Sequence, residues 1–226
     1  MDALTQVARL AAMIDHTLLS PEATRAQIEH LCAEAEQFGF ASVCVHPFRV
    51  ALAAGLLKKS KVCTVIGFPL GANRAEVKAL ETVRAIADGA EEIDMVMNIG
   101  AFKDGNLAAV ENDIAGVVKA AKGALVKVIL ETCLLSPEEI ASASAVALIA
   151  GADFVKTSTG FSKSGATVEA VAIMYEAVGA SLGIKASGGI RNLETAMAMI
   201  RAGASRIGTS HGVALVGGAA ETQDIY

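Results

Sequence analysis

The stretch AGADFVKTST, residues 150–159, runs from a glycine through a short apolar segment to a lysine, where a buried strand would ordinarily stay apolar. The same frame recurs in FGFASVCVHP at 38–47, DGAEEIDMVM at 88–97 and AGASRIGTSH at 202–211. Each opens with a glycine suited to ending a helix and continues as a strand pattern. Five residues beyond Gly39, Gly89, Gly151 and Gly203 stand Cys44, Asp94, Lys156 and Gly208. Equal offsets on equivalent strands put these residues at one height and, by the period of two, on one face. A thiol, a carboxylate and an amine at one level of apolar strands avoid an unpaired burial cost only by lying inside the sheet near its open end.

Outward from these segments, short β-branched runs alternate with longer Ala/Glu/Lys-rich helical patterns, the signature of βα units around a parallel sheet. Candidate strands are centred on Ile14, Val43, Val65, Met95, Val128, Val155, Ile184 and Ile207. About eight units close a barrel. The expectation is an α/β fold, one (β/α)8 TIM barrel spanning residues 1–226 as a single catalytic domain with a short N-terminal helix. No Pro/Ser-rich linker interrupts it. Ser20-Pro21-Glu22 and Ser136-Pro137-Glu138 both read as helix starts, with Ser as the cap and Pro at the first helical position.

Composition narrows the function. Hydrophobic residues make up 53% and aromatics only 4%, so Ala, Val, Ile and Leu must build the core. A net charge of −5 without a long Lys/Arg run argues against nucleic acid and for a small metabolite. Cys32, Cys44, Cys63 and Cys133 never fall in a C-x-x-C spacing, which argues against a zinc knuckle or dithiol motif and fits reduced thiols in a cytosol. The first sixteen residues form an amphipathic pattern rather than a basic segment followed by an apolar one, and no apolar run reaches membrane-spanning length. A cytoplasmic protein without membrane contacts is expected.

Lys127 in LVKVILET, Lys156 in DFVKTSTG and Lys185 in GIKASGG interrupt apolar strands. The strands of Lys156 and Lys185 are consecutive and should be neighbours about 5 Å apart. Two ammonium groups about 4 Å apart repel by roughly 4 kcal/mol at an effective dielectric near 20, so one of the pair should titrate closer to neutrality. A neutral amine can attack a carbonyl carbon, and the protonated imine so formed lets the neighbouring carbon–carbon bond break to an enamine. Asp94, at the same height, suits proton relay through water. For Lys127 a structural role is expected, its charge offset by Glu131 on its own strand face and Asp94 on the adjoining strand.

After Lys185 comes Ala-Ser-Gly-Gly-Ile-Arg, and Gly208-Thr209-Ser210-His211-Gly212 follows the eighth strand. A lone GG would be read as a tight turn, but two glycine-rich loops after strands seven and eight suit phosphate held by backbone amides and helix N-termini. His16, His30, His46 and His211 show no HxH or HExxH spacing, so neither metal nor other cofactor is expected. Cys44 reads better as a substrate-lining residue than as a nucleophile. In the tail GGAAETQDIY, Tyr226 is either a dangling end or a mobile phenol reaching the mouth.

IDHTLL, SVCVHP, VIGFPLG, EIDMVMNIG, KVILET, DFVKTSTGF and IKASGGIR together resemble the successive strand motifs of the deoxyribose-phosphate aldolase family, from about Ile14 to His211. The resemblance implies a class I aldolase that reversibly cleaves 2-deoxy-D-ribose 5-phosphate to D-glyceraldehyde 3-phosphate and acetaldehyde, in deoxynucleotide catabolism. It implies Lys156 as the Schiff-base lysine, Lys185 as the neighbour that lowers its pKa and Asp94 as the proton-transfer acid. Asp15 and Cys44 match residues near the substrate; Gly160, Gly188, Gly189, Gly208 and Ser210 match phosphate-loop positions; Tyr226 is similar to a C-terminal proton shuttle. Phe161 stands where some members carry Lys, and His211 where some carry Ser, so phosphate affinity should rest on backbone amides and Ser210, with Arg191 as a further contributor. A homo-oligomer is expected. The competing readings are another class I aldolase or transaldolase, and a non-catalytic barrel whose lysines are counter-charges for a sugar phosphate.

Overall fold

The computed structural model describes residues 3–217. Eight parallel strands close into a barrel in chain order: β1 Ile14–Leu18, β2 Ser42–Val45, β3 Lys61–Ile66, β4 Glu92–Val96, β5 Leu125–Ile129, β6 Phe154–Lys156, β7 Gly183–Ser187 and β8 Arg206–Thr209. Around them run α2 Arg25–Phe38, α3 Val50–Leu56, α4 Ala75–Ala87, α5 Ile99–Lys103, α6 Leu107–Ala121, α7 Pro137–Ile149, α8 Val168–Val178, α9 Leu193–Arg201 and the short α10 Gly212–Leu215, preceded by α1 Ala3–Ala11. The expected (β/α)8 barrel with its short N-terminal helix is the observed architecture, and each anticipated strand centre lies in its strand. Among the described residues no helix is long and apolar enough to cross a membrane.

The four repeated segments behave alike. Gly39, Gly89, Gly151 and Gly203 all adopt positive φ, between 70° and 120°, just after α2, α4, α7 and α9, and each strand starts three residues on. The strands then alternate. On β4, Ile93 and Met95 join the apolar sleeve between sheet and helices, and Ile184 and Ala186 do so on β7. The sleeve is completed by helix residues such as Ile28, Ile114, Val117, Ala147, Val171 and Met174. Glu92, Asp94 and Lys185, between those strand residues, point into the barrel. The interior therefore holds ions and thiols where barrels of this kind commonly stack branched apolar side chains.

One expected helix start is corrected. Ser136 caps α7, accepting from the Glu139 amide while the Glu139 side chain accepts from the Ser136 amide. Ser20-Pro21-Glu22 instead forms a turn, and α2 begins four residues later, with Thr24 and Gln27 in a reciprocal capping box. The reason is local. A box needs Glu or Gln three residues after the cap; Thr24 has Gln27 and Ser136 has Glu139, whereas Ser20 has Ala23.

Candidate active site

Lys156 and Lys185 are direct register partners on β6 and β7, so their side chains leave the sheet on the same face. Both meet Asp94 from β4. Lys156 Nζ and Lys185 Nζ each donate to Asp94 Oδ2 at 2.7 Å, and Lys127 Nζ from β5 donates to Oδ1 at 2.9 Å. Two ammonium nitrogens on one oxygen stand no farther apart than twice the shorter distance. Both face the barrel interior. Cys44 brings its sulfur within 4.8 Å of the Asp94 carboxylate, and a Cβ on Gly208 would come within 2.9 Å of Lys185 Cε. Of the four residues picked out by the repeated frame, Cys44 and Lys156 thus gather around the carboxylate of the third, Asp94, and Gly208 lies beside the Lys185 stem that reaches it.

Beneath this level lies a second set of ions. Lys127 Nζ also donates to Glu92 Oε2 at 2.5 Å and to Cys63 Sγ at 3.4 Å. Asp15 Oδ2 forms an ion pair with Lys185 Nζ at 2.5 Å, while its Oδ1 accepts from Arg206 Nη1 at 2.5 Å and Ser42 Oγ at 2.7 Å. Arg206 Nη1 reaches Glu92 Oε2 at 3.2 Å. Asp15, a substrate-lining expectation, is placed as the counter-ion of Lys185 and Arg206, fully enclosed. Glu92 and Arg206 drew no attention in the sequence, because each stands at the start of a strand where a charged residue usually faces water.

The electrostatics follow from enclosure. Burial pushes the Asp94 carboxyl up, but Lys127, Lys156 and Lys185 together hold it well below the usual carboxylate range. The Asp15 carboxyl is treated likewise, with Lys185, Lys127 and Arg206 outweighing burial. Burial opposes the charge on Lys185, yet Asp15 and Asp94 hold its ammonium well above the ordinary lysine value, and Asp94, Cys63, Asp15 and Glu92 do the same for Lys127. The network holds four cationic groups (Lys127, Lys156, Lys185 and Arg206) against three carboxylates (Asp15, Glu92 and Asp94). Fully ionised, it carries one uncompensated positive charge. Lys156 is the lysine of the three that keeps solvent contact, with 3% side-chain exposure against 0% for Lys127 and Lys185.

Lys127 matches its expected pairing with Asp94, but Glu131 is not its partner. Glu131 lies beyond β5 in left-handed conformation, φ 57°, and its carboxylate accepts from the hydroxyl and amide of Thr159. A non-glycine residue in this region stores about 1–3 kcal/mol of strain. The side chain is thereby turned from the Lys127 face toward the loop after β6. His16 faces α2, where Nε2 meets Glu34 at 2.7 Å, and His46 Nε2 meets the Leu19 carbonyl at 2.7 Å. Cys44, Cys63 and Asp94 bring three ligand-capable atoms within 4.8 Å of one another, as do Asp15, Cys63 and Glu92, but both carboxylate sets already bind ammonium groups.

The glycine loops are stitched together over the C-terminal ends of β6, β7 and β8. Ser187 Oγ donates to the Ser158 carbonyl at 2.7 Å, and Thr209 Oγ1 to the Ile190 carbonyl at 2.6 Å. Gly188, at φ 83°, approaches so closely that its Cβ would lie 2.9 Å from Gly165 Cα and 3.7 Å from Gly160 Cα. Gly160, Gly188 and Gly189 are thus brought together, with Ser210 on the adjoining loop. Gly208 sits lower, inside β8, where it clears space for the Lys185 stem. Phe161 packs edge-on against Phe68, ring centroids 5.3 Å apart, and Arg191 is exposed at the foot of α9. Tyr226 lies outside the described residues.

Known proteins share this arrangement of chain and fold. Residues 9–217 match the family described as DeoC/LacD family aldolase. The chain is 63% identical over 218 residues to a deoxyribose-phosphate aldolase of Exiguobacterium sibiricum, covering 95% of this chain and 99% of that one. It is 63% identical over 212 residues to another from Geobacillus, covering 92% and 95%. The tetrameric structure of a deoxyribose phosphate aldolase from Aeropyrum pernix superposes with a TM-score of 0.87 at 38% identity, covering 95% of each chain. The chain belongs to the DeoC/LacD family of aldolases and is a lyase.

Proposed function

We propose that this aldolase reversibly cleaves 2-deoxy-D-ribose 5-phosphate to D-glyceraldehyde 3-phosphate and acetaldehyde through a Schiff base on Lys156. The observation that carries the reading is the sharing of one Asp94 oxygen by Lys156 and Lys185 inside the barrel. With three carboxylates for four cations, the network is relieved when one amine gives up its proton, and Lys156 is the lysine with solvent contact. That uncharged amine attacks the substrate aldehyde carbon. Loss of water leaves a protonated imine, which accepts the electron pair of the C2–C3 bond as the C3 hydroxyl loses its proton. Glyceraldehyde 3-phosphate departs, the enamine is protonated at C2, and hydrolysis frees acetaldehyde and the amine. Asp94 relays protons through water, and Lys185 keeps its charge beside the reacting nitrogen.

Cys44 borders the two-carbon fragment. The amides around Gly160, Gly188 and Gly189, with Ser210, receive the phosphate, while Gly208 shapes the floor beneath it. Deoxynucleotide catabolism in the cytoplasm suits such a reaction, and self-association, as in the tetrameric relative from Aeropyrum pernix, suits a barrel of this size. Tyr226 remains a candidate proton shuttle by resemblance alone.

Borohydride reduction in the presence of acetaldehyde tests the assignment by peptide mass. The adduct is expected on Lys156, and Lys156→Ala should lose both the adduct and at least about a thousandfold in turnover. An adduct on Lys127 or Lys185 would reassign the nucleophile; none at all, with activity intact, would refute the covalent route.

A further inference from the structure

Cys44 and Cys63 neither form nor break a bond in the carbon–carbon chemistry, yet they occupy its floor. They are register partners on β2 and β3, both completely enclosed, with sulfurs within 4.8 Å of each other. Adjacent strands run about 4.8 Å apart, which falls inside the roughly 4.4–6.8 Å Cα separation that a disulfide spans. The two thiols sit in a small apolar nest of Leu19, Val65 and Phe68. Cys63 Sγ donates to Asp94 Oδ1 at 3.1 Å, and Lys127 Nζ donates to Cys63 Sγ at 3.4 Å.

We propose that Cys44 and Cys63 form an oxidisable thiol pair that reacts with a hydroperoxide, closes a reversible disulfide and thereby turns the aldolase down. Cys44 is the attacking sulfur. The neighbouring Cys63 side chain, joined by the nearby Lys185 and Lys156 charges, outweighs burial and draws the Cys44 thiol below the ordinary value, whereas burial pushes Cys63 up. The Cys44 thiolate displaces the outer oxygen of the peroxide; the O–O bond breaks, sulfur is oxidised to sulfenic acid, and the reduced oxygen leaves as water or alcohol after taking a proton. Cys63 then attacks the sulfenic sulfur. The S–S bond forms, the S–O bond breaks, and the Cys63 proton leaves with the hydroxyl as water. Access rests on the proposed reaction, in which acetaldehyde reaches the side chains around Asp94; hydrogen peroxide is smaller.

Closing the bond withdraws Cys63 from Asp94 Oδ1, so the carboxylate shared by the three lysines loses a donor and shifts. The other cysteines are poor partners. Cys32 lies in the outer layer on α2, where burial and then Glu36 push its thiol up to about 11. Cys133 lies beyond β5, partly exposed beside Ser162.

The folded enzyme, treated with hydrogen peroxide, then unfolded, alkylated and digested with trypsin, reads the outcome by mass. Peptide 26–49 should be joined to peptide 62–74 with the loss of two hydrogens, and cleavage after Glu34 or Glu36 separates Cys32 from Cys44. Activity should fall in proportion to the joined fraction and return with dithiothreitol. In Cys63→Ser the join should vanish, Cys44 should pass on to two- and three-oxygen adducts, and dithiothreitol should no longer restore the activity of that over-oxidised fraction. Cys133 reports the dose. If it is oxidised while Cys44 and Cys63 remain free thiols, or if the cross-linked enzyme keeps full activity, the proposal is overturned. Borohydride trapping of the reduced enzyme reads the Lys156 assignment separately, so the two readings can fail independently.

Discussion

At the scale of single residues, Asp94 is the carboxylate on which the three buried lysines converge. The groups facing it are Lys127, Lys156 and Lys185 from three successive strands and the Cys44 and Cys63 thiols from β2 and β3, with Asp15, Glu92 and Arg206 in the layer below. Lys185 adds a fixed positive charge next to Lys156 and takes up part of the Asp94 oxygen that would otherwise hold the Lys156 ammonium. Replacing it removes both effects, and both act in the same direction. Lys185→Leu should therefore move the rising limb of the pH–activity profile to higher pH. Stopped assays across the pH range measure this, and an unmoved limb in a folded variant would discard the tuning. The three lysines and Asp94 were legible in the sequence because each broke an apolar strand. Glu131 was misleading: period-two counting placed it beside Lys127, and only the left-handed backbone at that residue turns it to Thr159.

At the scale of elements, the repeated glycine frames were readable because they are local. A helix-ending glycine and a strand starting three residues later involve one stretch of chain, and the same offset recurs on β2, β4, β6 and β8. The two Ser-Pro-Glu segments show the limit of a shorter pattern. Ser136→Ala should destabilise the protein by about 1 kcal/mol, seen as a lower urea midpoint at unchanged slope. Ser20→Ala, in a turn without a helix to cap, should stay within about 0.5 kcal/mol. Equal losses in both would contradict the assignment of the α2 start to Thr24. The crowding of Gly188 against Gly165 belongs to this scale too, although the sequence could show only that both loops were flexible enough to permit it.

For the whole molecule, the enclosed ion network couples stability to pH on two sides. Asp15 and Asp94 are held below their ordinary range, so their contribution is complete above the unfolded carboxylate value, about 4, and is lost as pH falls below it. Lys127 and Lys185 are held above theirs, so their contribution is complete below about 10 and is lost as pH rises beyond it. Thermal denaturation followed by circular dichroism should show a plateau between about pH 5 and 9 with a decline on either flank. A melting temperature that rose on acidification below pH 4 would contradict the network. By itself the sequence determined the eight βα units, the height shared by Cys44, Asp94 and Lys156, and the neighbourhood of Lys156 and Lys185, because hydrophobic period, glycine position and strand order are properties of the chain. Tertiary structure alone decided that Asp15, Glu92 and Arg206 complete the charge balance, and that Cys44 meets Cys63. Those contacts depend on the stagger of closed strands, which brings residues as distant as Asp15 and Arg206 within 2.5 Å and leaves no trace in local spacing.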